Sequence, residues 1–236
     1  MTGHENARVA MISGANRGIG AALARELAGA GWRLSLGARD PGKLKPAELG
    51  AGHLAHRYDA HDPASEQAWV RATAERFGRI DAVIANAGVM IPKTVLEADD
   101  GELDQLLEVN VKSPLRLVRA AWPWLAASGQ GRVVVIVSLS GKRVKTARAG
   151  LYSVSKFAAL ALTHAIRHAG WDKGVRATAV CPGFVATDMA MGLTDRAAAE
   201  MTQPEDLARI VAFLLDLPNT ASIAEIPINS TLEEMV

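Results

Sequence analysis

The chain predicts an α/β protein with a parallel sheet covered on both faces, and three observations predict it. Short apolar runs of strand length alternate with segments of helical periodicity. One run, RVVVIVS at 132–138, is β-branched and lacks in–out alternation, as a strand buried on both faces would. A glycine-rich stretch, SGANRGIG at 13–20, joins the first apolar run to the first helical pattern.

RVAMIS at 8–13 is the first strand, and Ile19, Leu23 and Leu27 share one face of the helix that follows. RLSLGAR at 33–39 and HLAHRYD at 53–59 read as the next two strands. Helical AWVRATAERF (68–77) leads into the buried strand DAVIANAG (81–88). A long helical pattern runs from about 103 to 127, before the strand at 132–138. Tyr152–Ala169 is helical, and VRATAV at 175–180 is a strand. Pro204 opens a helix with Glu205 and Asp206 in its first turn, which suits the helix dipole. SIAEIPI at 222–228 reads as an edge strand because it contains Pro227.

At 236 residues and 49% hydrophobic composition, a single domain spanning 1–236 can bury a sizeable core. The net charge of +1, with no basic run interleaved with aromatics, gives no support for nucleic-acid or membrane-surface binding. No apolar run reaches the roughly eighteen residues that span a bilayer. MTGHENARVAMI lacks the layout of a signal peptide. Cys181 stands alone, so an internal disulfide and a Cys-rich metal site are excluded. A cytoplasmic protein is expected.

The glycines have a use at a strand-to-helix turn. A helix that starts there presents unpaired N–H groups and the positive end of its dipole, and a pyrophosphate can approach if no Cβ intervenes. The spacing is Gly14-x-x-x-Gly18-x-Gly20 rather than Gly-x-Gly-x-x-Gly. The alternative is a turn that only packs helix against strand. The end of the second strand holds Gly37, Ala38 and Arg39, where an acid would hold a ribose 2′-hydroxyl; Asp40 comes one step later. A guanidinium there suits a 2′-phosphate, with Arg17 as a second cation, and NADP is expected over NAD. Both arginines could instead be solvated surface charges. Asp59, closing the third strand, is a candidate acceptor for the adenine amine or a plain strand-end cap.

Tyr152 and Lys156 in YSVSK fall four apart on one helical face. A tyrosine ordinarily titrates near ~10, and a nearby ammonium favours the phenolate, giving an acid/base closer to working pH. Ser138 sits at the C-terminal end of its strand, where α/β sheets bind ligands, and could hold a substrate oxygen. Asn110 lies inside a helical pattern that it suits poorly, which predicts a bent helix with an ordered water beside Lys156. A surface Tyr–Lys pair and an exposed helical Asn are the alternatives.

SGANRGIG, ANAG (85–88), VN (109–110), Ser138, YSVSK and CPGFVATDM (181–189), in this order, resemble the short-chain dehydrogenase/reductase family. The resemblance runs from about residue 8 to the C-terminus. It implies a single-domain, Rossmann-like three-layer α/β/α sandwich with a mostly parallel sheet of about seven strands. It further implies that Asn110, Ser138, Tyr152 and Lys156 form a catalytic tetrad. Tyr152 would be the general acid or base, Lys156 would lower its pKa and hold the nicotinamide ribose, and Asn110 would hold a relay water. Gly14, Asn16, Arg17, Gly18, Ile19, Gly20, Arg39 and Asp59 would serve the cofactor's adenosine and phosphates. Asn86, Ala87 and Gly88 would border the adenosine side, and Pro182, Gly183, Val185 and Thr187 would cradle the nicotinamide.

The sequence departs from the family pattern in three places. One extra residue between Ser138 and Tyr152 makes Ser140 a rival; Gly141, at the usual offset, favours Ser138. The loop there carries Lys142, Arg143, Lys145 and Arg148, with Arg132 a possible fifth cation, and could meet an acidic substrate or merely solubilise the loop. ANAG replaces the commoner NNAG, and the ending IAEIPINS lacks the usual Gly-Gly, like the branch with 3-hydroxy acid and serine dehydrogenases.

Residues 189–203 are the expected substrate lid, with Met189, Met191, Leu193 and Met201 either an adaptable apolar surface or core. His4, His53, His56 and His61 show no metal-ligand spacing, and no metal is expected. His164 and His168 fall four apart and are expected buried or paired, though a metal is conceivable. In the family, helices like those at 103–127 and 152–169 form subunit contacts, so a homodimer or homotetramer is expected. The leading reading is NADP-dependent hydride transfer between nicotinamide and a carbonyl or alcohol of a small substrate. The alternatives are an NAD-dependent alcohol dehydrogenase and a catalytically silent nucleotide-binding regulator.

Overall fold

The computed structural model describes residues 7–232. Seven strands form one sheet in the order β3-β2-β1-β4-β5-β6-β7. They are β1 Val9–Ser13, β2 Arg33–Ala38, β3 Leu54–Arg57, β4 Ala82–Ala85, β5 Arg132–Ile136, β6 Arg176–Pro182 and β7 Glu225–Ile228. Every neighbouring pair is parallel. The strand order reverses between β1 and β4, and a crevice opens there at the C-terminal strand ends.

Helices cover both faces. α1 (Gly18–Gly29) and α7 (Pro204–Asp216) pack together on one face. α2 (Pro63–Phe77), α4 (Ser113–Ala127) and α5 (Gly150–Gly170) cover the other. Strand alternation divides the core: Ala10, Ile12, Val134 and Ile136 point to the α1/α7 side, while Met11, Val133 and Val135 point to the other. This is why the β5 run shows no alternation, since both faces are dry.

The helix expected at 103–127 is broken. α3 (Asp100–Leu107) starts at a capping box between Asp99 and Glu102, and a π-helical turn, Glu108–Lys112, separates it from α4. α2 starts earlier than its apolar pattern, because Asp62 caps the N–H of Ala64 and Pro63 takes the first turn. β7 is a short edge strand, with Pro227 tolerated there. A four-residue helix, α6 (Asp188–Met191), follows β6. Among the described residues, no helix is long and apolar enough to cross a membrane.

Candidate active site

A cavity of about 1080 Å³ opens along the C-terminal strand ends. Its wall includes Gly14, Asn16, Arg17, Gly18, Ile19, Arg39, Asp59, Asn86, Ala87, Gly88, Ser138, Tyr152, Lys156, Pro182, Gly183, Val185 and Thr187. Two residues expected at the site, Gly20 and Asn110, are absent from this wall and stand behind it.

The glycine turn is held from both sides. The N–H groups of Gly14 and Ala15 donate to the Gly37 carbonyl at 2.8 and 3.2 Å, tying it to β2. The Asn86 amide donates to the carbonyls of Ser13 (2.9 Å) and Gly14 (3.2 Å). Ser13 Oγ accepts in return from the N–H groups of Asn86 and Ala87. Gly14 and Gly18 adopt φ of +66° and +52°, which a side chain resists. A Cβ on Gly20 would lie 2.1 Å from the Gly14 carbonyl oxygen, so Gly20 lets the turn fold onto α1 rather than touching the cavity. No side chain caps the start of α1. Its first N–H groups remain available to an anion.

Arg39 is exposed at the end of β2 and faces the cavity. Asp40 turns back on its own loop, accepting from the Gly42 N–H at 3.0 Å. Arg17 forms an exposed ion pair with Asp188 at 3.1 Å. Asp59 accepts from the His61 N–H at 3.2 Å and pairs with Arg57 at 3.4 Å, the bonding of a strand-end cap, and still borders the cavity.

At the middle of the cavity, Tyr152 shares a hydrogen bond with Ser138. Ser138 Oγ also accepts from the Ser140 N–H at 3.0 Å and lies 3.4 Å from the Pro182 carbonyl. Ser138, not Ser140, is therefore the serine beside the phenol. Gly141 makes that possible, because a Cβ there would strike the Lys156 carbonyl at 2.7 Å, so the turn lies directly on α5.

Lys156 is buried, and its Nζ donates to the Ile136 carbonyl at 3.0 Å. Burial lowers its pKa from 10.5 to about 8. The same burial pushes Tyr152 up to about 12, with the Ser138 bond acting in the opposite direction. The expected lowering of Tyr152 by Lys156 is thus not seen in the bare protein: desolvation of the phenolate dominates, and the ammonium is turned to Ile136, 5.6 Å from the ring centre.

Asn110 occupies the π turn. Its Oδ1 accepts from the Val89 N–H at 3.0 Å, and its Nδ2 donates to the Val89 carbonyl and to Ser155 Oγ, each at 3.0 Å. The side chain is therefore committed to the protein. Its main-chain carbonyl is different. The Ser113 N–H reaches back to Glu108, and Pro114, which has no N–H, cannot supply the bond an α-helix would give Asn110.

The loop cations divide. Lys145 and Arg148 border the cavity, whereas Lys142 pairs with Glu225 at 2.5 Å, and the Glu225 carboxylate also accepts from His164 Nε2 at 2.7 Å. Arg132 lies at the opposite, N-terminal end of β5, bonded to Asn219 and the Leu217 carbonyl, and cannot join the loop group. Of the expected lid residues, Met189 and Leu193 border the cavity, but Met201 is buried in the core and Met191 is exposed outside the wall. Ser13 and Ser155, which lie inside SGANRGIG and YSVSK, and Glu225 and Arg196, which lie in neither, have no role in the sequence reading. Among the described residues, no group of three metal-ligating side chains exists. His4 lies outside them.

This arrangement of glycine turn, Ser138, Tyr152 and Lys156 is that of an oxidoreductase fold, and the chain belongs to the short chain dehydrogenase family, whose model matches residues 8–198. It is 41% identical over 91% of its length to an agropine synthesis reductase of Rhizobium rhizogenes, and spans about 50% of that relative. It is 34% identical over 84% of its length to the oxidoreductase UcpA of Escherichia coli, covering 75% of it. An alcohol dehydrogenase of the archaeon Thermococcus sibiricus, complexed with 5-hydroxy-NADP, superposes with a TM-score of 0.88 at 30% identity, over 98% of this chain and 100% of that one. A metagenomic short-chain oxidoreductase in complex with NADP gives 0.80 at 31% identity, over 96% and 98%.

Proposed function

We propose that the protein is an NADP-dependent oxidoreductase that reduces the carbonyl of a small substrate to an alcohol. The observation that carries this reading is the meeting of Tyr152, Ser138 and Lys156 in one cavity with the glycine turn at the start of α1. The NADP complexes of the two similar structures support the choice of cofactor. So does the exposed Arg39 at the β2 end, with Asp40 turned away.

The turn fits a pyrophosphate, since a Cβ at Gly14 or Gly18 would be strained and would crowd Ala87 or Thr187. The first N–H groups of α1, with Asn16 and Ile19, would hold it, and Arg39 and Arg17 the 2′-phosphate. Asn86, Ala87, Gly88 and Asp59 would border the adenosine, and Pro182, Gly183, Val185 and Thr187 the nicotinamide. When bound, NADPH supplies the hydride.

The protein supplies the proton and the geometry. Ser138 Oγ orients the substrate oxygen, and Tyr152 Oη donates its proton to that oxygen. A phenol held near 12 is protonated at neutral pH, which suits the reducing direction. Lys156, held near 8, would hold the nicotinamide ribose and can return a proton toward Tyr152 through water, which the Asn110 carbonyl can anchor. Residues 189–193, in α6 and the turn that follows it, act as the apolar part of the substrate lid. Exposed Trp124, Val154 and Phe157 on α4 and α5 support a homodimer or homotetramer.

A screen of aldehydes and ketones with NADPH, followed at the nicotinamide absorbance, tests the reading. Turnover lost in Tyr152→Phe supports it. Tight NADPH binding with no turnover of any carbonyl or alcohol would favour the silent nucleotide-binding alternative.

A further inference from the structure

A buried chain of hydroxyl groups runs from α2 to the glycine turn. Tyr58 directly follows β3, and its N–H donates to the Ala38 carbonyl at 2.9 Å, beside Arg39. Its ring packs against Trp69 with centres 5.1 Å apart. Its Oη lies 2.6 Å from Ser113 Oγ, and Ser113 Oγ donates to Glu66 Oε1 at 2.7 Å. Arg116 Nε and Nη2 donate to the same carboxylate oxygen at 3.2 and 3.1 Å. On its other side the phenol hydrogen-bonds Ser13. Ser13, Tyr58, Glu66 and Ser113 are all buried.

Counting protons fixes the direction of every bond. Glu66, ion-paired with Arg116, is a carboxylate and only accepts. Ser113 spends its one proton on it, so Ser113 accepts from Tyr58. Tyr58 spends its one proton on Ser113, so the bond with Ser13 is donated by Ser13. Both lone pairs of Ser13 Oγ are then left to accept. The N–H groups of Asn86 and Ala87 take them, at 2.9 and 3.0 Å.

We propose that Glu66 and Tyr58 are positioning residues for the cofactor: the Glu66 carboxylate directs a hydrogen-bond chain through Ser113 and Tyr58 to Ser13, which holds the Asn86–Ala87 wall of the cavity in shape. This rests on the dinucleotide-binding part of the proposed function, not on its hydride chemistry.

The wall at the end of the chain is where the cofactor would lie. Asn86 and Ala87 border the cavity, and the Asn86 amide grips the Ser13 and Gly14 carbonyls of the glycine turn. Without an acceptor at Tyr58, the Ser13 hydroxyl can turn its proton toward these N–H groups and loosen the wall. In a dry interior such a reversal is costly, because each bond polarises the next. Burial pushes Tyr58 up to about 12, so the phenol stays a donor throughout the neutral range. The chain includes none of Ser138, Tyr152 and Lys156. Its loss therefore acts on cofactor affinity and not on the chemical step.

The test compares the wild type with Tyr58→Phe and Glu66→Gln. Amide hydrogen exchange is measured without cofactor, and NADPH binding is followed by nicotinamide fluorescence. Exchange at Asn86 and Ala87 should speed by roughly tenfold while the β1 amides keep their rates, and NADPH should bind roughly tenfold more weakly. With any carbonyl that is turned over, kcat at saturating NADPH should be unchanged. Exchange that speeds alike across β1 and β4 would make the chain a packing device and overturn the proposal. So would faster exchange at Asn86 and Ala87 without loss of affinity, or loss of affinity without faster exchange. Tyr58→Phe removes a single oxygen and decides the matter even where Glu66→Gln does not fold. NADPH binding that Tyr58→Phe weakens, in a protein that reduces no carbonyl, retains the chain and overturns the oxidoreductase reading. Carbonyl turnover with NADPH affinity unaltered in Tyr58→Phe does the reverse, and a wild type that binds no NADPH overturns both.

Discussion

Asn110 and Val89 are joined by two hydrogen bonds running in opposite directions: Val89 N–H to Oδ1 and Nδ2–H to the Val89 carbonyl, both 3.0 Å. The pair fastens the π turn to the segment after β4 that borders the cavity. Asn110→Ala strips partners from Val89 and Ser155 in a buried place. Leaving buried polar groups unsatisfied costs ~1–3 kcal/mol each, so urea unfolding should show a loss of about 2–4 kcal/mol after partial relaxation. Asn110→Asp keeps the acceptor for Val89 N–H but sets an oxygen against the Val89 carbonyl, and should rescue little.

Gly20 does not border the cavity, yet its replacement should damage the site. Gly20→Ala puts a methyl 2.1 Å from the Gly14 oxygen and 2.7 Å from Asn86 Nδ2. The expected result is a destabilisation of about 1–3 kcal/mol, typical of overpacking, together with at least tenfold weaker NADPH binding. Thermal unfolding and a cofactor titration read the two effects separately.

Two serines in the Ser138–Gly141 turn should behave differently. Ser138→Ala removes the hydroxyl bonded to Tyr152 and should lower kcat by roughly tenfold to a thousandfold, the range for loss of a transition-state donor. Ser140→Ala leaves that bond in place and should change kcat less than about threefold. Equal effects would remove Ser138 from its assigned place.

Lys156 makes stability depend on pH in a direction fixed by its lowered pKa. Below about pH 8 both folded and unfolded chains carry the charge, and the cost of burying it is complete. Between about 8 and 10.5 the folded protein loses the proton first, and the cost is relieved as pH rises. At about 1.4 kcal/mol per pKa unit, the change across this window is ~3 kcal/mol. Lys156→Met removes the dependence. The stability of the wild type relative to this variant, measured without cofactor, should therefore climb by that order between pH 8 and 10.5.

The sequence made the scaffold legible because periodicity survives in single segments. RVVVIVS announces a strand with two dry faces, and Pro227 an edge. The glycine turn was readable because only a close approach or a positive φ explains three glycines there. Long-range partners were not readable. Nothing near Asn110 names Val89 or Ser155, which lie 21 and 45 residues away. The poor fit of Asn110 to the helical pattern at 103–127 announces a bend, but not that the bend is a π turn at Glu108–Lys112. The charged loop looked like one group, and only tertiary packing sends Lys142 to Glu225 and Arg132 to the far end of the sheet. The sign of the Tyr152 shift was missed because local spacing carries the neighbouring ammonium but not the burial that outweighs it.

The most direct measurement is a fluorescence titration of the purified protein with NADPH and NADH, repeated on Arg39→Ala. The account predicts that NADPH binds at least tenfold more tightly than NADH, and that Arg39→Ala erases most of that difference by weakening NADPH alone. Equal affinities, or a preference for NADH, would contradict the assignment of Arg39 and Arg17 to a 2′-phosphate. Binding of neither would contradict the oxidoreductase reading itself.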